Sequence, residues 1–459
     1  MTPLEHRLQP AADLLVRGAH VLDPRTGIDA PHDVLVRDGV IAELGAPGSL
    51  DAPDGAEILD GEGRHLFPGF IDPHVHLRVP GQEHKEDLDS GTRAAAAGGY
   101  VAVVAMPNTD PVVDSAPVLR SLREAARREA RVPVGFMASI TRGLDGDALT
   151  EMAELADSGA LGFTDDGRPV HRAGILRKAL QYQRLAGRVL CLHEEDPSLS
   201  GRGVMHEGEV SARLGLAGIP SISESTLIAR DAALAGYEDG RIHIQHLSAR
   251  ESVEAVAEAK ARGVRISAEA SPHHLTLTDR VLLGEHPGQQ GRGGASGLDT
   301  RLKMNPPLRA EQDRQALIAG LRDGTIDCVA TDHAPHAREE KEVPFEEAPM
   351  GTTGLETAFA ALYTELVLPG VLPLKLVVDR LSAGAALVDL PLPAISVGEG
   401  ANFCLVDLEA EYEVGEAGYE SRSENCCFAG RRLRGQVLAT VAAGAVAYRQ
   451  RTFSVVGAA

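Results

Sequence analysis

Gly69-Phe70-Ile71-Asp72-Pro73-His74-Val75-His76-Leu77-Arg78 sets the reading of the whole chain. Pro68-Gly69 turns the backbone, and Phe70 and Ile71 supply the apolar residues of a short strand. His74 and His76 stand two apart. In an extended segment alternate side chains share a face, so both imidazoles can point at one spot. Imidazole is a ligand for zinc and its neighbours. An isolated His-x-His is more simply explained as two histidines on a polar loop, so the reading turns on what else converges there.

Working outward, short apolar runs recur near 66–72, 100–106, 132–138, 159–164, 188–193, 241–246, 264–269 and 327–332. Between them lie segments with helical spacing, such as Val118, Leu122, Ala125 and Ala126 behind a Ser115 cap, or Val253, Val256 and Ala257. Eight strand–helix units predict an α/β fold, a (β/α)8 TIM-type barrel over 66–394, with its chemistry on the loops at the C-terminal strand ends. Residues 13–60 read as short strands, with Asp38-Gly39 as a hairpin signal, and the last stretch of the chain reads the same way. Neither end suffices for a sheet core alone. The two ends, 1–65 and 395–459, are therefore expected to pair into one small β-sandwich domain. Gly284 to Thr300 is rich in Gly and Gln and reads as a flexible insertion, a lid or a disordered loop.

The 459 residues suit a barrel of about 250 residues plus a second unit. A net charge of −21 argues against nucleic acid as a partner, and an anionic substrate would need a local positive site. No apolar run reaches the roughly 18 residues of a membrane span, so no membrane association is expected. Met1 to Pro10 is polar and lacks the core of a signal peptide, which makes a cytoplasmic protein the expectation. The five cysteines contain no Cys-x-x-Cys pair. Cys191 and Cys328 lie in apolar runs, as buried free thiols do.

The polar residues at the expected strand ends are the informative ones. Strand 1 ends in His74 and His76, strand 2 in Met106-Pro107-Asn108-Thr109, and strand 4 in Thr164-Asp165-Asp166-Gly167. Strand 5 ends in His193-Glu194, strand 6 in Gln245-His246, and strand 8 in Asp332-His333-Ala334-Pro335-His336. Metal-ligating types thus close five of eight strands, all at one end. Four imidazoles (His74, His76, His193, His246) and two carboxylates (Asp166, Asp332) fit two divalent ions. Such ions sit about 3.5–4 Å apart, need a bridging anion and lower the pKa of a shared water towards about 7. Asp166 is the candidate bridge. Asp332 is a ligand and the best-placed general acid/base.

Asp72-Pro-His-Val-His-Leu-Arg-Val-Pro-Gly and Ala330-Thr-Asp-His-Ala-Pro-His resemble the two signature stretches of the dihydroorotase family, within the amidohydrolase superfamily. Met106-Pro-Asn-Thr, Phe163-Thr-Asp-Asp-Gly, Lys303-Met-Asn-Pro-Pro-Leu-Arg and Gly351-Thr-Thr-Gly-Leu-Glu-Thr-Ala resemble further blocks of its class I type. The resemblance implies reversible hydrolysis of the dihydroorotate ring to N-carbamoyl-aspartate in pyrimidine synthesis. It implies Zn2+, with two ions per chain expected: His74, His76 and Asp332 on the first, His193 and His246 on the second, and Asp166 bridging. Arg78, Asn108, Asn305 and His336 would hold the substrate, with His76 and the Met350-Gly351 backbone beside it. The Arg78 guanidinium offers a planar fork for the substrate carboxylate. Many relatives, hydantoinases and allantoinases among them, bridge their metals with a carboxylated lysine. Gly159 to Pro169 contains none and offers an aspartate instead. The alternatives are a hydantoinase- or allantoinase-like cyclic amidase, or a scaffold for aspartate transcarbamoylase, against which the six filled ligand positions argue. A homo-oligomer is the expected state and the transcarbamoylase a candidate partner. His273, His274 and His333 are assigned to structure.

Overall fold

The computed structural model describes residues 4–285 and 297–453. Of the insertion expected at Gly284 to Thr300, residues 286–296 lie outside the described residues. Five strands open the chain: β1 (Leu14–Leu22), β2 (Asp29–Arg37), β3 (Val40–Gly45), β4 (Glu57–Asp60) and β5 (His65–Pro68). Then come β6 (Phe70–Val75), β7 (Tyr100–Ala105), β8 (Val134–Phe136), β9 (Gly162–Phe163) and β10 (Val189–Leu192). A small parallel pair, β11 (Met205–His206) and β12 (Gly218–Ile219), stands apart. The middle ends with β13 (Arg241–Ile244), β14 (Arg265–Ala270) and β15 (Cys328–Val329), and β16 (Phe403–Glu413), β17 (Arg432–Ala442) and β18 (Ala445–Arg449) close the chain.

Strands β6-β7-β8 form one parallel sheet and β9-β10-β13-β14-β15 another. Parallel bridges Ala138↔Phe163 and Val75↔His333 join their edges, so eight parallel strands close into a ring with helices between them. Every residue of β6, β7, β8 and β10 is buried. Strands covered on both faces read as unbroken apolar runs, which is why periodicity found them. The helix Ala116–Glu129 buries Leu119, Leu122 and Ala126. Ser115 stands at its N-cap with extended backbone, but its side chain makes no capping bond, contrary to expectation.

The run read as one strand at 66–72 is two. Leu66 pairs with Val21 of β1 and Leu405 of β16, whereas Ile71 pairs with Ala102 of the ring. Gly69 is the joint between them: a Cβ there would lie 2.2 Å from Val101 Cγ1, so only glycine lets the chain cross that close. Phe67 and Phe70, on either side of the joint, both pack on Phe359, with ring centroids 5.5 and 5.7 Å away.

Both chain ends build one sheet in the order β18-β17-β16-β5-β1-β2-β3, with β4 beside β1. Leu14, Val16, Val34, Val36, Phe403, Leu405 and Val441 share its core. Asp38 and Gly39 both take positive φ (50° and 74°), as the β2–β3 hairpin turn demands. The free edge of β3 is met by the chain just before β16, where the Ile41 N–H donates to Glu399 O at 2.9 Å. All five cysteines are buried and unpaired. No helix among the described residues is long and apolar enough to cross a membrane.

Candidate active site and metal centre

His74, His76, Asp166, His193, His246 and Asp332 arrive from five strand ends and are all buried. His74 Nε2 lies 3.6 Å from Asp166 Oδ1 and 3.5 Å from Asp332 Oδ1. His76 Nε2 lies 3.4 Å from Asp166 Oδ2 and 3.1 Å from Asp332 Oδ1. On the other side, His193 Nδ1 and His246 Nε2 are each 3.8 Å from Asp166 Oδ1 and 2.9 Å from each other. Two groupings have ligand atoms within 4.8 Å of one another: His74, His76 and Asp332, and His74, Asp166 and His246. Asp166 stands between the two pairs of imidazoles. Asp332 and His246 take positive φ (48° and 30°), a conformation disfavoured for residues with a Cβ and common where a site over-determines it.

The outer nitrogens of three of these rings are committed to other partners, whereas His246 Nδ1 has none among the described residues. His76 Nδ1–H donates to Asn108 Oδ1 at 2.9 Å, and His74 Nδ1–H to Glu269 Oε1 at 2.6 Å. His193 Nε2–H points at Glu195 Oε2, 3.4 Å away. The opposite ring nitrogen of each is turned to the centre, where it meets the carboxylates as an N–H or a cation as a lone pair. Within the cluster His74 Nε2 and Asp166 Oδ1 have no hydrogen-bond partner although fully buried. Burial would raise the Asp166 pKa, but the charge of His74 and the close approach of the His246 and His76 rings hold it well below the usual carboxylate range. Burial opposes Asp332 likewise, and the His76 hydrogen bond with the charge of His74 outweighs it. For Glu195, burial is overcome by His193 and Asn305, which bring it to about 2. The site keeps its carboxylates ionised, and their pull on the imidazoles is one that a cation answers as well as a proton.

A cavity of about 240 Å³ opens above the cluster. Arg78, Asn108, Asn305, His336, Met350 and Gly351 line it together with the cluster residues other than His74. Arg78, at φ 60°, donates Nε–H to Pro335 O at 3.0 Å. It has no carboxylate within 4.0 Å among the described residues, so its two Nη groups are uncommitted. Asn108 is occupied at both ends: its Oδ1 serves His76, and its Nδ2 donates to Asp166 Oδ2 at 3.1 Å. Asn305 Nδ2 donates to Glu195 Oε2 at 2.6 Å. His336 Nε2–H donates to Met350 O at 2.9 Å, and burial, then the charges of Arg78 and Lys341, push its pKa down to about 3. The Gly351 N–H is spent on Lys303 O at 2.9 Å.

The neighbours of these residues point elsewhere. Asp165 Oδ1 accepts the N–H groups of Ile140 and Thr141 at 2.8 and 3.0 Å. His274 bonds Ser271 Oγ and Pro306 O, and His333 bonds Glu86. Sequence reasoning passed over Glu269, Glu195 and Asn425. Glu269 carried one visible signal, a carboxylate inside the apolar run of strand 7.

A family model described as Dihydro-orotase-like matches residues 63–252. A curated relative named dihydroorotase, from Pelotomaculum thermopropionicum, is 45% identical over 439 residues, covering 95% of this chain and 99% of the relative. Another of that name, from Anaeromyxobacter sp. strain K, is 44% identical over 441 residues, covering 95% and 98%. Among solved structures, an L-hydantoinase (dihydropyrimidinase) from Arthrobacter aurescens superposes with a TM-score of 0.82 at 23% identity, covering 97% of this chain and 98% of that one. A dihydropyrimidinase from Brevibacillus agri NCHU1002 gives 0.79 at 22%, covering 97% and 96%. At those identities the structural likeness establishes the shared fold alone.

Proposed function

The chain belongs to the dihydroorotase family, and on that premise we propose that its strand-end cluster is the metal centre for interconverting (S)-dihydroorotate and N-carbamoyl-L-aspartate. The chain is thus a cyclic amidohydrolase of pyrimidine biosynthesis. One observation carries the site assignment: four imidazoles and two carboxylates from five strand ends meet under a cavity that also presents an uncommitted guanidinium.

The donor set fits divalent metal. His74 Nε2 and Asp166 Oδ1 are buried polar atoms without a hydrogen-bond partner among the described residues, and mixed imidazole and carboxylate ligands suit zinc. His74, His76, Asp166 and Asp332 would hold one ion, and Asp166, His193 and His246 a second. When bound, such ions polarise the scissile carbonyl and let a water ionise near neutral pH. The Arg78 Nη groups hold the substrate carboxylate, while Asn305 and His336 face the ring. Asp332 has the most open side chain of the six, 11% exposed, on the cavity side. Its carboxylate takes a proton from the attacking water and delivers it to the ring nitrogen as the C–N bond breaks. Condensation runs the same transfer backwards.

Cytoplasmic location, a homo-oligomeric state and association with aspartate transcarbamoylase belong to this proposal. The decisive experiment measures metal content of the purified chain together with ring opening of dihydroorotate, hydantoin and allantoin. About two zinc ions per chain and preference for dihydroorotate are expected. Metal-free turnover, or preference for hydantoin, would overturn the assignment.

A further inference from the structure

This inference rests on the metal-centre reading above. Glu269 lies on β14 beneath the cavity and is 1% exposed. Its Oε1 accepts from His74 Nδ1–H at 2.6 Å and from the His246 backbone N–H at 3.2 Å. Its Oε2 accepts from His243 Nε2–H at 3.0 Å. An ionised carboxylate only accepts, so these contacts fix the tautomers. His74 carries its proton on Nδ1 and turns the Nε2 lone pair to the centre. His243 carries its proton on Nε2, and its Nδ1 accepts from Ser267 Oγ at 2.8 Å.

One oxygen thus anchors two residues assigned to different ions, His74 from strand 1 and His246 from strand 6. His246 sits at φ 30°, a conformation that its own chain does not favour, and the bond from its N–H to Glu269 holds it there. We propose that Glu269, steadied by His243, is a positioning residue that braces both halves of the metal centre. The brace sets ring orientation and basicity in His74 and backbone placement in His246. Its loss should weaken both ions together.

Zinc affinity, measured by competition with a chromophoric chelator on the full chain, tests this without reference to turnover. Glu269→Gln keeps the volume and one acceptor but removes the charge. It should weaken zinc binding about 10- to 100-fold at both sites, the usual cost of removing such a partner. The metal-free chain should stay folded, with a lower melting temperature because one buried N–H loses its acceptor. His243→Gln leaves the carboxylate and should give a smaller loss in the same assay. Affinity within twofold of the wild type in a folded Glu269→Gln chain would overturn the brace. Should that variant fail to fold, unchanged affinity in His243→Gln overturns it instead. His243, Glu269 and Cys328 also have ligand atoms within 4.8 Å of one another. A third zinc in the wild type that vanishes in Glu269→Gln would make Glu269 a ligand, and would likewise overturn the brace. If the wild type binds no zinc, the metal-centre reading falls first and the brace with it.

Discussion

Replacing Arg78 should separate substrate recognition from chemistry. The side chain is fixed at one point, Nε–H to Pro335 O at 3.0 Å, and it lines the cavity with no carboxylate within 4.0 Å among the described residues. In a protein of net charge −21 this is the local positive site that the proposed anionic substrate would require. A hydrogen bond to a charged group contributes about 1.5–3 kcal/mol. At about 1.4 kcal/mol per tenfold, Arg78→Ala should weaken substrate binding about 10- to 150-fold. Arg78→Lys keeps charge but loses the fork and the tether to Pro335, and should fall near the lower end. Both variants inherit the φ of 60° from another residue with a Cβ, so backbone strain is common to all three chains.

The assay is initial rate against substrate concentration in both directions, with zinc content determined on the same samples. KM should rise while kcat and zinc stay close to wild type. A cyclic amide lacking the carboxylate, such as dihydrouracil, supplies the control, because Arg78→Ala should cost it nothing further. The reasoning is refuted if Arg78→Ala lowers kcat at unchanged KM, or if dihydrouracil and dihydroorotate lose equally.

Asp332→Asn should lower kcat about 10²- to 10⁴-fold, the usual contribution of a general acid/base. Near-normal kcat with zinc retained would move proton transfer to another group. Asp166→Ala should lose zinc, whereas Asp165→Ala should keep it and lose about 1–3 kcal/mol of stability, because the Ile140 and Thr141 N–H groups lose their acceptor. Zinc analysis with urea unfolding distinguishes the two. Burial raises the Glu356 carboxyl from the usual 4.5 to about 7, so the folded chain holds that proton more tightly than the unfolded one. Stability from this group is then full below pH 4.5 and lost as pH rises through 7. The Tm of Glu356→Gln relative to wild type should therefore climb between about pH 5 and about pH 8, and a difference independent of pH would refute the shift.

The ring and the residue types that gather at its strand ends were legible in the sequence because both are local signals. Strands buried on two faces leave apolar runs, and the histidines and aspartates stand directly after them. The turn at Pro68-Gly69 was legible, but not that it divides two sheets, since the apolar run 66–72 crosses it and only the strand pairing shows where the chain changes sheets. The role of Asn108 was half legible. Its place at a strand end marked it for the site, but its commitment to His76 and Asp166 depends on strands 1 and 4 meeting around it. Glu269 shows the opposite limit: the residue type was in view, yet the three groups that it touches come from two other strands, far from it in the chain.

Asn425 explains why the composite sheet matters to the site and is no mere appendage. It lies between β16 and β17 and reaches the strand 8 loop, where its Oδ1 accepts the His336 N–H at 3.0 Å. Its Nδ2 donates to Ala334 O at 3.0 Å and to Gly351 O at 3.1 Å. One side chain therefore ties together two arms of the cavity wall. Those arms cross so closely that a Cβ on Gly351, at φ 139°, would lie 2.8 Å from the Ala334 Cβ. The same strand 8 loop carries Pro335, whose carbonyl fixes Arg78. Arg78, His336 and Gly351 thus take their positions from a segment of the C-terminal sheet 89 residues beyond His336, with no local pattern to announce it. The proposed metal ligands depend on the ring, and the cavity wall proposed for the substrate depends on the ring and the end sheet together. Loosening the end sheet should accordingly disturb substrate affinity before it disturbs metal binding.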